Sequence, residues 1–391
     1  MKTVFVKPRF NGVPVHQIYR QIQRNPPEGY NIIIPENSTV NRFSTLTSKN
    51  RSAIYKKILY QVQALPYLIY QLRDNVPIPP NTDLIYAAQH IITSEKPWVV
   101  DAEHASTWSG YSDLSLVKGM IAKKLRQDNC KKIIAWSEWA KRTIVQSFDD
   151  EVIQKKIQVV RYTTDVKTIQ KKKKDSIIRF LFMGSANIGN MLNFEFKGFY
   201  ETLEAFIRLQ KEYGNKIQLV IKSKIPESLR NQIMNNEGIV LIENMISQEE
   251  IQDLYLTCDI FPHIGYEVMN LSVLEAMSYG LPTIATDIFN TSELIRDSTN
   301  GFLIRPTNIE KFYSNNELPN EHALSYLHEV RKIRSYMTEK LAEKMQLLIE
   351  DKKLRDKIGG AAKKTLEEGE FSITNRNNLL KNIFDNANDL Q

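Results

Sequence analysis

Short runs rich in β-branched and aromatic residues alternate along this chain with segments of helical spacing, the pattern of a parallel sheet covered by helices. In the first half the runs are Thr3 to Val6, Asn31 to Pro35, Asp83 to Ala87, Trp98 to Asp101, Lys132 to Trp136 and Ile157 to Val160. In the second half they are Ile177 to Met183, Ile217 to Ile221, Val240 to Ile242, Ile260 to Phe261 and Thr283 to Ala285. Between the two sets lies a like-charge run, Lys171 to Lys174 followed by Asp175, which reads as a solvated linker. At 391 residues the chain is too long for one ordinary core and suits two domains. The boundary is expected near residue 170, with domains over 1–170 and 175–365 and strongly helical pieces from His322 onward.

Cys130 and Cys258 lie far apart without metal-ligand spacing, and the six histidines are scattered, which points to a reduced compartment and no structural metal. The N-terminal MKTVFVKPRF lacks the apolar core of a signal peptide, and no apolar run is long enough to span a bilayer, so a cytoplasmic location is expected. The charge is uneven. Residues 1–165 carry 23 Lys and Arg against 14 Asp and Glu, a balance of +9, which leaves 29 against 31 for the remainder. Basic pairs such as Lys123-Lys124 and Lys141-Arg142 read singly as solvated helix surface, while the asymmetry raises a face for anionic lipid, a phosphorylated acceptor or nucleic acid. The aromatic-rich segment Ile54 to Leu72 has two readings as well: a core helix interrupted at Pro66, or a surface resting on membrane.

Glu267 and Glu275, with seven residues between them, occupy one of the most apolar stretches, GYEVMNLSVLEAMSYGLPTIATD. Asn270 is positioned to cap a helix over about Leu271 to Tyr279, Gly280 to supply its left-handed end, and Pro282 to start the exit into the strand. On that helix Glu275 falls between Leu271 and Tyr279, opposite Val273, Ala276 and Met277. A carboxylate in such a setting is paired, bonded by a ligand, or exposed at the helix edge, because desolvating an isolated charge is costly. The helix start near Asn270 and Leu271 suits an anion, with Glu275 about one turn further on, an arrangement that fits a nucleotide diphosphate and its ribose.

The wider run from Asp253 to Pro306 resembles the nucleotide-sugar site of family 4 glycosyltransferases. The likeness covers the Glu267 and Glu275 pair, the EAMSYGLPTIATD segment, Glu293 and the NGFLI turn at Asn300. Upstream, FMGS at Phe182 to Ser185 and FKGFYETLEAF look like the family's glycine turn and its Lys-Gly pair at Lys197 and Gly198. IIAWSEWAKRTI from Ile133 and KIQVVRYTTD from Lys156 sit where the family has a strand-helix and a second conserved strand segment, and FSITNRNNLLKNIF resembles its crossing-back helix, here about 371–391. The resemblance implies an α/β protein of the GT-B fold, two doubly wound Rossmann-like domains facing across a cleft. It implies transfer of a sugar from a nucleotide-sugar, UDP- or GDP-linked, to an acceptor hydroxyl, with retention.

Carried over residue by residue, the resemblance puts Gly184 and Ser185 beside the diphosphate, Lys197 on a phosphate oxygen, and the amides of Asn270 and Leu271 on the other oxygens. Glu275 would accept from the ribose hydroxyls and Glu267 would contact the transferred sugar. Lysine and helix dipole would stabilise the leaving group, so no cofactor and no metal are expected. The sequence has no D-x-D, Asp101-Ala-Glu103 being the nearest approach. On the acceptor side, His104 resembles the family's cleft histidine, Glu103 is its neighbour, and the loop RFNGVPVH resembles the acceptor loop with Gly12 as pivot. Trp108 and Tyr111 read either as sugar-stacking rings or as core. The implied partners are a nucleotide-sugar and a sugar, polysaccharide or lipid-linked acceptor, the last with peripheral contact at an anionic inner membrane face, and no nucleic acid. Departures from the pattern are Ser185 in place of a basic residue, Val268 and Asn270 in place of glycines, and Phe289-Asn290 in place of a glycine pair. Lys222 and Lys224 read either as replacements for the missing charge or as a solvated pair. Two rival functions share these residues: a nucleotide-sugar epimerase of the same fold, and a non-catalytic binding protein.

Overall fold

The computed structural model describes residues 1–9, 15–35, 53–73, 76–166, 175–184, 192–268, 271–320 and 324–388. The expected linker at Lys171 to Lys174 therefore lies outside the described residues. The chain forms two compact units, one of Met1–Thr163, Ser314–Leu318 and Glu370–Gln391, the other of Thr164–Tyr313 and Pro319–Gly369. No helix among the described residues is long and apolar enough to cross a membrane.

The first unit is built on β1 (Lys2–Lys7), β2 (Tyr30–Ile33), β3 (Leu84–Ala87), β4 (Trp98–Ala102), β5 (Cys130–Ala135) and β6 (Ile157–Val159). These pair in the order β2-β1-β3-β4-β5-β6, all parallel. β3 and β4 are buried along their whole length, which explains their apolar sequence, interrupted at Asp101 alone, since the central strands of a parallel sheet are covered on both faces. Trp98, Trp108, Ile133 and Ile144 anchor the core. The helix Ala53–Arg73 runs through Pro66 without interruption, and it sends Ala64 and Leu68 into that core, so the segment is a core helix over its described side chains. The helix Ile373–Asn388 returns to this unit, where the Tyr30 hydroxyl donates to Asp385 at 2.6 Å and Phe384 meets the Tyr30 and Tyr86 rings. The short excursion Ser314–Leu318 is held by Leu318 on the core and by the Trp139 indole N–H donating to the Glu317 carbonyl at 3.2 Å.

In the second unit β7 (Ile178–Met183), β8 (Ile217–Lys222) and β9 (Ile239–Ile242) pair as β7-β8-β9. β10 (Phe261–His263), β11 (Thr283–Thr286) and β12 (Phe302–Ile304) pair as β10-β11-β12. A parallel bridge between Phe180 and Ile260 joins the two sets, with the Leu181 amide donating to the Ile260 carbonyl at 3.0 Å. The resulting order, β9-β8-β7-β10-β11-β12, is that of a doubly wound Rossmann sheet. β12 is absent from the strand runs legible in the sequence, because its residues belong to the NGFLI segment that reads as a turn.

Candidate functional site

In a doubly wound sheet the chain winds one way from its first strand and the other way from the fourth, which opens a crevice beyond their carboxyl ends. In the second unit those strands are β7 and β10. Gly184 follows β7, and its amide donates to the Lys222 carbonyl at the end of β8 at 2.9 Å. A Cβ at Gly184 would stand 2.1 Å from the Ser223 hydroxyl, so only glycine fits. Beyond β10 the loop Ile264 to Glu267 meets the turn carrying Lys197. Gly198 makes that approach possible: its φ is +66°, and a Cβ there would lie 2.0 Å from the Ile264 carbonyl oxygen.

Lys197 Nζ donates to Glu267 Oε1 at 2.7 Å, with 17% and 26% of the two side chains exposed. The pair is partly buried yet reachable from solvent, so an incoming anion competes with the carboxylate for the lysine. His263, at the end of β10, lies close enough to feel Lys197. Burial first, and the lysine charge second, push its pKa down to about 3, so a neutral imidazole lies under the site. The sequence signal for His263, a polar residue ending a strand just before the Glu267 loop, is weak and easily missed.

Glu267 is positioned from behind by the fully buried Tyr266. The Tyr266 amide donates to the Phe196 carbonyl at 2.6 Å, its hydroxyl donates to Glu201 at 3.1 Å, and its carbonyl accepts from the Tyr326 hydroxyl. The helix Leu192–Phe196 is tied down in turn by Glu195, which accepts from Arg331 at 2.6 Å and Arg334 at 2.8 Å. Burial lifts the Glu201 carboxyl to about 7, from 4.5. A carboxyl raised in this way contributes stability that is complete below its unfolded pKa and lost as pH rises through the folded one. The Tm of the wild type relative to Glu201→Gln is therefore expected to fall as pH rises from about 4.5 to about 7 and then to level off. A Tm difference constant over that range would mean that Glu201 is charged throughout.

The helix Leu271–Ser278 buries Val273, Leu274, Ala276 and Met277, and leaves Leu271, Glu275 and Tyr279 half-buried on its other side. Gly280 ends it in the left-handed conformation at φ +71°. The Glu275 carboxylate accepts from the Tyr255 hydroxyl at 3.0 Å, and the Tyr255 and Tyr279 rings stack 5.1 Å apart, tilted by 9°. Burial, and then the Glu275 charge, hold the Tyr255 phenol well above its ordinary pKa, so it remains a donor. A buried hydroxyl thus fixes the base of this carboxylate, a partner 20 residues away that local sequence does not reveal. Asn270 and Ser185 lie outside the described residues, as does Gly12 in the first unit. Phe289, where the family pattern has a glycine pair, keeps a glycine-like φ of +52°. Its amide donates to the Tyr313 hydroxyl at 2.7 Å, and its ring packs edge-on against Tyr313. Lys222 is 6% exposed, and its ammonium has no hydrogen-bond or ion-pair partner among the described residues, whereas Lys224 is exposed.

In the first unit Glu103 and His104 follow β4. His104 is 1% exposed, its Nδ1 is 2.8 Å from the Ser106 hydroxyl, and its Nε2 is 3.8 Å from Glu103. Tyr111 and Trp139 flank the ring at 5.5 and 5.7 Å. Trp108 is fully buried, its indole N–H donating to the Asp101 carbonyl at 3.0 Å, so it belongs to the core. Asp101 is a structural hub, accepting from the Tyr19 hydroxyl and Trp136 indole at 2.8 Å, the Gln89 amide at 2.7 Å and the Tyr86 hydroxyl at 3.3 Å. Burial raises its pKa to about 6. No group of three metal-ligating side chains occurs among the described residues.

Residues 179–316 match the family model described as glycosyl transferases group 1, so the second unit carries that domain. A stretch of 46 residues is 46% identical to sucrose synthase of Thermosynechococcus vestitus, covering 12% of this chain and 6% of that enzyme. The structure is similar to that of Anabaena HepE in complex with UDP and glucose, at a TM-score of 0.59 and 14% identity, covering 98% of this chain and 99% of that one. It is also similar to a glycosyltransferase from Rickettsia africae ESF-5, at a TM-score of 0.58 and 15% identity, covering 100% and 99%. The fold is GT-B, as the sequence resemblance implies.

Proposed function

We propose that the protein transfers a sugar from a UDP-sugar to an acceptor hydroxyl, with retention and without a metal. The observation that carries this reading is the pairing of Lys197 with Glu267 at the switch point of the group 1 domain, with the Glu275 carboxylate on the neighbouring helix. The uridine diphosphate lies over Gly184, whose missing side chain lets the backbone approach the phosphates. Lys197 leaves Glu267 to meet a phosphate oxygen, and the ammonium of Lys222, carried on a largely buried stem, supplies further charge in place of the basic residue that the family pattern has at position 185. The start of the helix Leu271–Ser278 adds its dipole, so the charge that develops on the departing diphosphate meets fixed positive groups. Glu275 accepts from the ribose hydroxyls, and Glu267, freed from Lys197, holds the transferred sugar. The base is read as uridine because the HepE relative was solved with UDP and glucose. Acceptors in this reading are a sugar, a polysaccharide or a lipid-linked glycan, bound by the first unit at Glu103 and His104.

A thermal-shift panel of UDP-, GDP- and ADP-sugars tests the donor, because a ligand at 100 times its dissociation constant stabilises the fold by about 2.7 kcal/mol. UDP-sugars are expected to raise Tm and the others not to. Glu275→Gln is expected to weaken UDP-sugar and free UDP alike by about 10- to 100-fold, since both carry the ribose and a hydrogen bond to a charged group is worth about 1.5–3 kcal/mol. No shift with any nucleotide would remove the reading. Transfer is expected to survive EDTA, and its loss to EDTA with recovery in magnesium or manganese would show that a metal, not Lys197, carries the leaving group.

A further inference from the structure

The sheet of the first unit also has a switch point, between β1 and β3, where the winding direction reverses and ligands gather in open parallel sheets. Arg9 lies just beyond the end of β1 and Gln89 just beyond the end of β3. Arg9 Nη2 donates to both the Gln89 carbonyl and the Gln89 Oε1, each at 3.2 Å. The guanidinium lies 5.8 Å from the centre of the Tyr67 ring and 5.6 Å from that of Tyr111, so two aromatic faces hold its plane. Among the described residues these partners are all neutral, and no carboxylate forms an ion pair with Arg9. Glu103 and His104 follow the next strand of the same sheet, and Tyr111 lies 5.5 Å from the His104 ring.

Arg9 is half-buried among neutral groups, so its charge gains most where an anion joins it. The arginine fork presents paired N–H donors that match the oxygens of a phosphate or a carboxylate, which a lysine cannot reproduce. We propose that Arg9, clamped between Tyr67 and Tyr111 and oriented by Gln89, binds an anionic group, a phosphate or a carboxylate, carried by the acceptor. That the anion belongs to the acceptor rests on the first unit being the acceptor-binding one. The anion site itself stands on the geometry of Arg9 alone.

The test is isothermal titration of the full chain with sodium phosphate, sodium glucuronate and glucose. It is run in a Lys197→Gln, Lys222→Gln background, which removes both lysines proposed to meet the donor phosphates, with Arg9 intact, Arg9→Gln or Arg9→Lys. With Arg9 intact, phosphate or glucuronate binds and glucose does not. Arg9→Gln weakens that binding at least tenfold, and Arg9→Lys weakens it several-fold because an ammonium offers no fork. Preference for phosphate identifies a phosphorylated acceptor, and preference for glucuronate a uronate-bearing one. Anion binding that survives Arg9→Gln, or glucose binding as tight as anion binding, overturns the proposal. Should Arg9→Gln fail to fold, anion affinity unchanged in Arg9→Lys overturns it. UDP is titrated separately into the chain with Lys197 and Lys222 intact. Failure of UDP to bind there counts against the nucleotide-sugar reading and leaves the Arg9 site standing.

Discussion

Glu267→Gln is expected to lower turnover by about a hundredfold while leaving affinity for free UDP unchanged or slightly tighter. Two features of the site lead to this. In the proposed reading the carboxylate contacts the transferred sugar, so its interaction would be expressed mainly in the transition state and lost from kcat rather than from nucleotide binding. In the free protein the same carboxylate is 2.7 Å from Lys197, so an incoming diphosphate competes with it for the lysine. An amide holds Lys197 more weakly and leaves it readier for phosphate. Single-turnover rates together with UDP titrations check this. Parallel losses of UDP affinity and turnover would move Glu267 from the sugar to the diphosphate, and unchanged turnover would make the pair structural. Glu275→Gln serves as the contrast, because it should cost UDP affinity.

Gly198→Ala is expected to be the most destabilising single substitution in this part of the chain. An L-residue at φ +66° costs about 1–2 kcal/mol by itself. The new Cβ would also lie 2.0 Å from a backbone carbonyl, that of Ile264, where no flexible side chain can give way. The turn bearing Lys197 and the loop bearing Glu267 must then separate, for a total cost of about 3 kcal/mol and a Tm lowered by about 6–12 °C in a unit of this size. Because that separation would also pull Lys197 from its proposed place at the diphosphate, activity should fall even well below the new Tm. A variant that melts with the wild type would show that the two segments do not touch. Gly214→Ala is the control: its φ is +57°, but a Cβ there meets nothing within 4 Å, so only the backbone cost remains.

Much of the fold was open to reading from local sequence. The β-rich runs and the helix from Leu271 with Gly280 at its left-handed end each depend on a handful of neighbouring residues, whose period, caps and glycines are printed in the chain itself, whereas the Lys197-Gly198 turn was legible only through the family resemblance. β12 was hidden because its residues fall in the NGFLI segment that reads as a turn. The motif of two glutamates was equally visible, but its meaning was divided between ribose binding, sugar contact and plain solvent exposure. Trp108 could have served a sugar or the core until its burial placed it in the core.

Sequence alone thus determined which segments become strands and helices and which residue types carry chemistry. Tertiary structure decided which of them meet. Lys197 and Glu267 are 70 residues apart, Glu275 and Tyr255 are 20 apart, and Arg9 and Gln89 are 80 apart. The first and the last of these meetings follow from strand order: β7 lies beside β10 through the bridge of Phe180 to Ile260, and β1 lies beside β3. Strand order is settled by how the helices cover both faces of a sheet and by the packing of buried residues such as Tyr266. Those are energies of the whole assembled unit, shared among contacts distant in sequence, so no short stretch of the chain records them.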